Sequence, residues 1–214
     1  MILFSEDLFF GIMEGEEKKM KALTLYFLRH GKTWFNEKNI VQGWCDSLLT
    51  DESIQLAQVA QKQWQEHGIV FDHAYVSPTL RTRQTLHAVA RDVPYTEMAD
   101  LMEIHYGYLE GESAKTLQLF YPERYDFDHF KGFAGGENWI QAGGRFKRAL
   151  ETIVAEAQDG QKLLIVTHGA IMTWFLHQLD EKITTKVPNL CLCEVEYQDG
   201  RMAIKKNQCL SIDP

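Results

Sequence analysis

The sequence predicts an α/β fold of three layers: a mostly parallel sheet, helices on both its faces, and a lid inserted over the strand ends. Three observations predict it. From residue 23 onward, short β-prone apolar runs alternate with longer stretches of helical periodicity, the pattern of a parallel sheet covered on both sides. Two of those runs, Leu23-Thr24-Leu25-Tyr26-Phe27-Leu28 and Lys162-Leu163-Leu164-Ile165-Val166-Thr167, lead into a histidine followed by a glycine. A third stretch, 101–136, is aromatic-rich and irregular, and is broken by Pro122 and by Gly135-Gly136, as suits an insertion lying over the strand ends.

Taken in order, the first strand covers 23–28 and stops at Arg29-His30-Gly31. A loop through Asn36, Gln42 and Gly43 follows. A helix over 51–66 has Thr50 as its N-cap, Gly68 as its stop, and Ile54, Ala57, Ala60 and Trp64 as its apolar face. A short strand over 73–76 turns at Ser77-Pro78 into a helix reaching 91, with Pro78 in its first turn, where a missing N–H is harmless. A strand over 95–98 enters the lid, which contains short helical pieces, among them 113–121. A long helix over 137–158 contains Gly143-Gly144, so a kink or a close packing contact is expected there. The strand over 163–167, a helix over 170–179 and a terminal hairpin (190–197 and 201–205, turning at Asp199-Gly200) complete the chain.

With 214 residues, 45% hydrophobic and 24% charged, 21–214 reads as one domain. Residues 1–20 do not fit this organisation. Their apolar start gives way to Glu14-Gly15-Glu16-Glu17-Lys18-Lys19, and the sequence suggests Met20 as the biological start, with 1–19 a non-core extension. The net charge of −8 argues against nonspecific nucleic-acid binding, which needs a basic face, but leaves room for a small anionic substrate held by local arginines. Cys45, Cys191, Cys193 and Cys209 form no Cys-x-x-Cys pair, so buried thiols in a reducing compartment are expected rather than zinc ligands. No apolar run approaches the roughly 18 residues of a membrane span, and the N-terminus lacks a basic leader, so a cytoplasmic protein is the expectation.

The residues with chemistry in them fall where strands end. In open α/β sheets ligands bind at the carboxyl ends of the strands, which sets Arg29-His30 and His168 at the mouth of one crevice. Phosphoryl transfer needs positive charge around the phosphoryl oxygens, a nucleophile in line and a proton for the leaving oxygen. Arg29, Arg81 and Arg83 supply permanent charge with a fork that suits phosphate.

Leu28-Arg29-His30-Gly31-Lys32-Thr33 resembles the Arg-His-Gly signature of the histidine phosphatase superfamily, in its phosphoglycerate mutase-like branch. Ser77-Pro78-Thr79-Leu80-Arg81-Thr82-Arg83 resembles that family's second block, and Leu101-Met102-Glu103-Ile104-His105-Tyr106-Gly107 its acid-bearing block. Gly135-Gly136-Glu137-Asn138 and Val166-Thr167-His168-Gly169-Ala170 complete the set, in the family's order, over 23–175. The resemblance implies a phosphohistidine mechanism. His30 is then the nucleophile. Arg29, Arg81 and His168 form the phosphate pocket, with Thr33, Asn36 and Gly169 contributing. Glu103 protonates the leaving alkoxide and then helps to deprotonate water. No metal or other cofactor is required, because the arginines and His168 carry the positive charge.

Within that family, mutases place an arginine directly after the acid. Here that position is Ile104, and the lid segment Glu123-Arg124-Tyr125-Asp126-Phe127-Asp128 has no paired-arginine clamp. A phosphatase acting on small phosphomonoesters, less anionic or partly aromatic ones, is therefore the leading expectation. Phosphoglycerate isomerisation and a catalytically idle phospho-ligand binder stand as the alternatives. Arg83, two residues past Arg81, is expected on another helix face. His105 is open between shaping the pocket and a purely structural place, while His67, His73, His87, His129 and His177 are read as structural. The expected partner is a small phosphorylated metabolite, and the terminal hairpin offers an edge for homodimerisation.

Overall fold

The computed structural model describes residues 21–210, with side chains through Lys205. The extension over 1–20, the start at Met20 and the side chain of Cys209 lie outside the described residues. The element order is β1 (Ala22–Arg29), α1 (Trp34–Glu37), α2 (Asp51–Glu66), β2 (His73–Val76), α3 (Leu80–Val89), β3 (Tyr95–Glu97), α4 (Ala114–Phe120), α5 (Trp139–Glu156), β4 (Lys162–Thr167), α6 (Gly169–Leu179), β5 (Leu192–Gln198) and β6 (Arg201–Leu210). Short 3-10 turns at Ala99–Leu101 and Gly107–Leu109 punctuate the lid.

One sheet carries the strands in the order β3-β2-β4-β1-β5-β6. The pairs β2–β3, β2–β4 and β1–β4 are parallel, whereas β5 runs antiparallel to β1 and β6 to β5. Strand alternation divides the core into two layers. Leu25, Phe27, Leu163 and Ile165 face α5, α6 and the lid. Tyr26, Leu28, Leu164 and Val166 face α2 and α3. On the first face Phe27 meets Phe146 and Phe175 at ring-centroid distances of 6.3 and 4.6 Å. Burying each such ring contributes about 2–3 kcal/mol. Both faces being covered explains why β1 and β4 read as near-continuous apolar runs.

Register then decides where the chemistry goes. Arg29 lies beside Thr167 and Val76 beside Val166, so β1, β4 and β2 end level and deliver His30, His168 and Ser77 to one place. The His30 amide donates to the Thr167 carbonyl at 3.0 Å, tying the two strand ends together one residue past the ladder.

Several local expectations are refined. The loop after β1 contains a one-turn helix, α1, because Thr33 and Asn36 form a reciprocal capping box. Thr79, not Pro78, caps α3, so the proline precedes the helix instead of occupying its first turn. Across Gly143-Gly144 helix α5 continues as one element, and the glycine serves close packing: a Cβ at Gly143 would be driven into the indole of Trp174. The lid is packed more deeply than an overlying flap, since Leu101, Ile104, Tyr106, Leu117, Phe130 and Phe133 join the α5–α6 core. Among the described residues no helix is long and apolar enough to cross a membrane.

Candidate active site

At the end of β1, His30 is buried, and its Nδ1 lies 2.7 Å from its neighbour's carbonyl, Gly31 O. A carbonyl only accepts, so the ring proton sits on Nδ1 and the lone pair on Nε2. Burial, reinforced by the Arg81 and Arg29 charges, holds the imidazole well below the ordinary histidine pKa. A neutral ring with a bare Nε2 is the form a nitrogen nucleophile needs.

His168, the N-cap residue of α6, is fully buried and 5.4 Å from His30 between ring centroids. Its Nδ1 accepts from Arg81 Nε at 3.2 Å and Nη2 at 3.0 Å. An arginine only donates, so the His168 proton sits on Nε2, which donates to Ser77 Oγ at 2.7 Å. Burial and the same arginine also push this histidine well below its usual pKa.

Of the two arginines, Arg81 is saturated. Besides the bonds to His168, its Nη1 donates to Cys45 O at 3.0 Å and pairs with Asp46 Oδ1 at 2.9 Å. Its Nη2 donates to Gly43 O at 2.6 Å. Arg29 differs. One bond, Nη1 to Val187 O at 2.5 Å, ties it down, and its buried Nε has no partner. Its guanidinium passes over Gly169, where a Cβ would lie 2.8 Å from Arg29 Nε, so only glycine leaves room for it.

Glu103 is buried and accepts from the first turn of α6: Ala170 N reaches Oε2 at 2.8 Å and Ile171 N reaches Oε1 at 2.8 Å. Ile104 N adds a third bond at 3.0 Å to Oε1. A carboxylate on a helix N-terminus is favourably placed. Glu103 is also the largest charge opposing the burial-driven fall in the Arg29 pKa. Thus Arg29, His30, Arg81, Glu103 and His168 come together. Thr33 and Asn36 border them but are engaged in capping α1, with Thr33 Oγ1 donating to Gln42 Oε1 at 2.8 Å.

A family model described as the histidine phosphatase superfamily (branch 1) matches residues 25–209. The chain belongs to this superfamily. It is similar to a 2,3-bisphosphoglycerate-dependent phosphoglycerate mutase of Rhizobium etli, 29% identical over 168 residues, or 74% of this chain and 80% of that protein. A second relative, 2,3-bisphosphoglycerate-dependent phosphoglycerate mutase 2 of Latilactobacillus sakei, is 37% identical over 94 residues, 42% of this chain and 41% of that protein, so the match spans about two-fifths of its length. A crystal structure of phosphoglycerate mutase from Bacillus anthracis superposes with a TM-score of 0.73 at 27% identity, covering 86% of this chain and 92% of that one.

The superfamily site depends on further residues that the sequence reading did not single out. Glu110 accepts from four amides, Gly43, Trp44, Cys45 and Tyr106, at 2.9–3.0 Å. It thereby shapes the strap whose carbonyls grip Arg81, and those amide bonds, with the Cys45 thiol, outweigh burial and hold its carboxyl below the usual range. Arg145, buried on α5, forks onto Glu137 at 2.8 Å on each side and donates to Met102 O and Glu103 O at 2.6 and 2.7 Å. That bridge fixes the Glu103 segment and gives the Gly-Gly-Glu-Asn block its place: Glu137 anchors Arg145, and Asn138 caps α5. A charged residue at the centre of an otherwise apolar helix face was the available signal. Lys186, between α6 and β5, also reaches the site; nothing in its local sequence marks it.

Arg83 turns away to pair with Glu97 at 3.1 Å. His105 stacks on Trp44, with ring centroids 4.6 Å apart, and its amide donates to Glu137.

Proposed function

We propose that the protein is a phosphomonoesterase that works through a phosphohistidine on His30 and needs no metal. The observation that carries the proposal is the bare, neutral Nε2 of His30 beside an arginine whose Nε is buried and unpartnered. In the first half-reaction Nε2 forms a bond to phosphorus as the bond to the ester oxygen breaks, and Glu103, carrying a proton taken from the monoanionic ester as it binds, passes it to the departing alkoxide and is left a carboxylate. In the second half, water forms the new P–O bond, the N–P bond returns its electrons to Nε2, and Glu103 receives the water proton. Arg29 and the field of Arg81 stabilise the charge on the phosphoryl oxygens throughout.

A second reading, isomerisation of 2- and 3-phosphoglycerate with a bisphosphorylated primer, has the names of the curated relatives in its favour. Against it, Ile104 occupies the position after Glu103 and is fully buried, so no cation stands there to hold the substrate carboxylate. Phosphate release from an aryl phosphate in excess chelator, measured with wild type and His30→Ala, tests the first reading. Robust release lost in the variant is the expected result. An inert wild type that interconverts phosphoglycerates on addition of primer would replace it with the second.

A further inference from the structure

We propose that Lys186 is a further anion-binding residue of this site, gripping the phosphoryl oxygens of the substrate together with Arg29. The inference rests on the phosphate-pocket reading above and adds a residue to it.

The first support is steric. Arg29 and Lys186 converge over Gly169, where a Cβ would lie 2.8 Å from Arg29 Nε and 2.9 Å from Lys186 Cε. Two cations held this close repel unless an anion lies within reach of both. No described side chain fills that role. The hydrogen bond of Arg29 goes to a backbone carbonyl, and its Nε has none. Lys186 makes no hydrogen bond and no ion pair among the described residues. Glu103, the carboxylate acting on both, has its oxygens occupied by three backbone amides.

The second support is electrostatic. The groups acting on Lys186 are Arg29 from the end of β1, Arg124 from the lid, and Glu103. Three cations against one carboxylate leave a surplus that a dianionic phosphoryl group would balance. Lys186 also contributes to the low pKa of His30, so its ammonium lies within the field of the nucleophile. Its side chain is exposed to solvent, and its approach to Gly169 beside Arg29 sets it on the wall of the site. Desolvation first, then Arg29, pushes its pKa down to about 8. The histidines of the site lie well below this, Tyr106 and Tyr125 lie above the ordinary tyrosine value, and Cys45 is pushed up to about 12. Arg29 is lowered as well, from a guanidinium's much higher ordinary value, which leaves Lys186 as the shifted cation pushed into the mildly alkaline range.

The test is equilibrium binding of sulfate, a tetrahedral dianion whose own charge is constant from neutral to alkaline pH. It is measured by calorimetry on wild type, Lys186→Met and Lys186→Arg, on both sides of pH 8. Lys186→Met should bind about tenfold more weakly than wild type below pH 8, the loss of one charge-assisted contact. Wild type should lose a similar factor above pH 8, and Lys186→Arg, which does not titrate there, should not. Equal affinity and equal pH dependence in wild type and Lys186→Met would overturn the role of Lys186 and leave the phosphate pocket standing. Failure of wild type to bind sulfate at all would overturn the pocket itself, and this inference with it.

Discussion

The two arginines that frame His30 are finished in opposite ways. Arg81, on the first turn of α3, has every guanidinium nitrogen engaged, by His168, by the carbonyls of Gly43 and Cys45, and by Asp46. Arg29, on the end of β1, has one bond, to Val187 O, and a buried nitrogen with none. The first is built into the protein, holding the 43–46 strap, α3 and His168 in register. The second keeps a buried donor that no described residue engages. On the function proposed above, a phosphoryl group engages Arg29 directly and Arg81 only by replacing strap contacts. On that proposal the site divides its positive charge between a frame and a grip.

The sharpest way to break this comparison is to remove each guanidinium in turn. Arg81→Met should destabilise the fold by about 3–5 kcal/mol, because it leaves Asp46, two carbonyls and His168 without their partner in a closed interior. Thermal unfolding would show it, and a melting temperature within a degree or two of wild type would contradict the framing role. Arg29→Met should cost clearly less stability, about 1–2 kcal/mol, since it strands only the Val187 carbonyl. It should lower kcat/KM on an aryl phosphate by about 10²–10³-fold, the scale of a lost donor to a developing oxyanion. If the two variants behave alike, the division between frame and grip is wrong.

A smaller effect concerns pH. His30 and His168 have folded-state pKa values well below their ordinary 6.5, so below that value the unfolded chain binds protons that the folded one refuses. Their contribution to stability is complete above 6.5 and is lost as pH falls through the window beneath it, by about 1 kcal/mol per pH unit for each histidine. The melting temperature should therefore fall with acidification, and less steeply in His168→Gln. The smallest effect is reserved for Arg83. Its half-exposed pair with Glu97 makes Arg83→Ala nearly silent, within about 0.5 kcal/mol and with unchanged turnover. A large loss of activity there would move the boundary of the site.

Much of this was legible in the sequence, for a definite reason. Strand ends are local events: an apolar run stopping at Arg29-His30-Gly31 or Thr167-His168-Gly169 reports both the strand and what stands at its mouth. Thr50 as a cap and Asp199-Gly200 as a hairpin turn were readable for the same reason. The supporting residues were not, because their meaning depends on contacts distant in sequence. Glu110 is a surface-like acid until the amides of Gly43, Trp44 and Cys45 fold onto it. Arg145 acquires a purpose when Glu137 and the Glu103 carbonyl arrive, and Lys186 when α6 brings its loop back over Gly169. Thr33 and Asn36 add something the sequence did not show: residues at motif positions also cap a single helical turn.

His30 is where the proposed chemistry begins and ends. Brief incubation with a phosphorus-labelled phosphomonoester, followed by quenching and peptide mapping, would show where the phosphoryl group rests. The expected result is an acid-labile, base-stable label on the peptide containing His30, absent from His30→Ala. A label that survives in His30→Ala, or one on another side chain during turnover, would contradict the account.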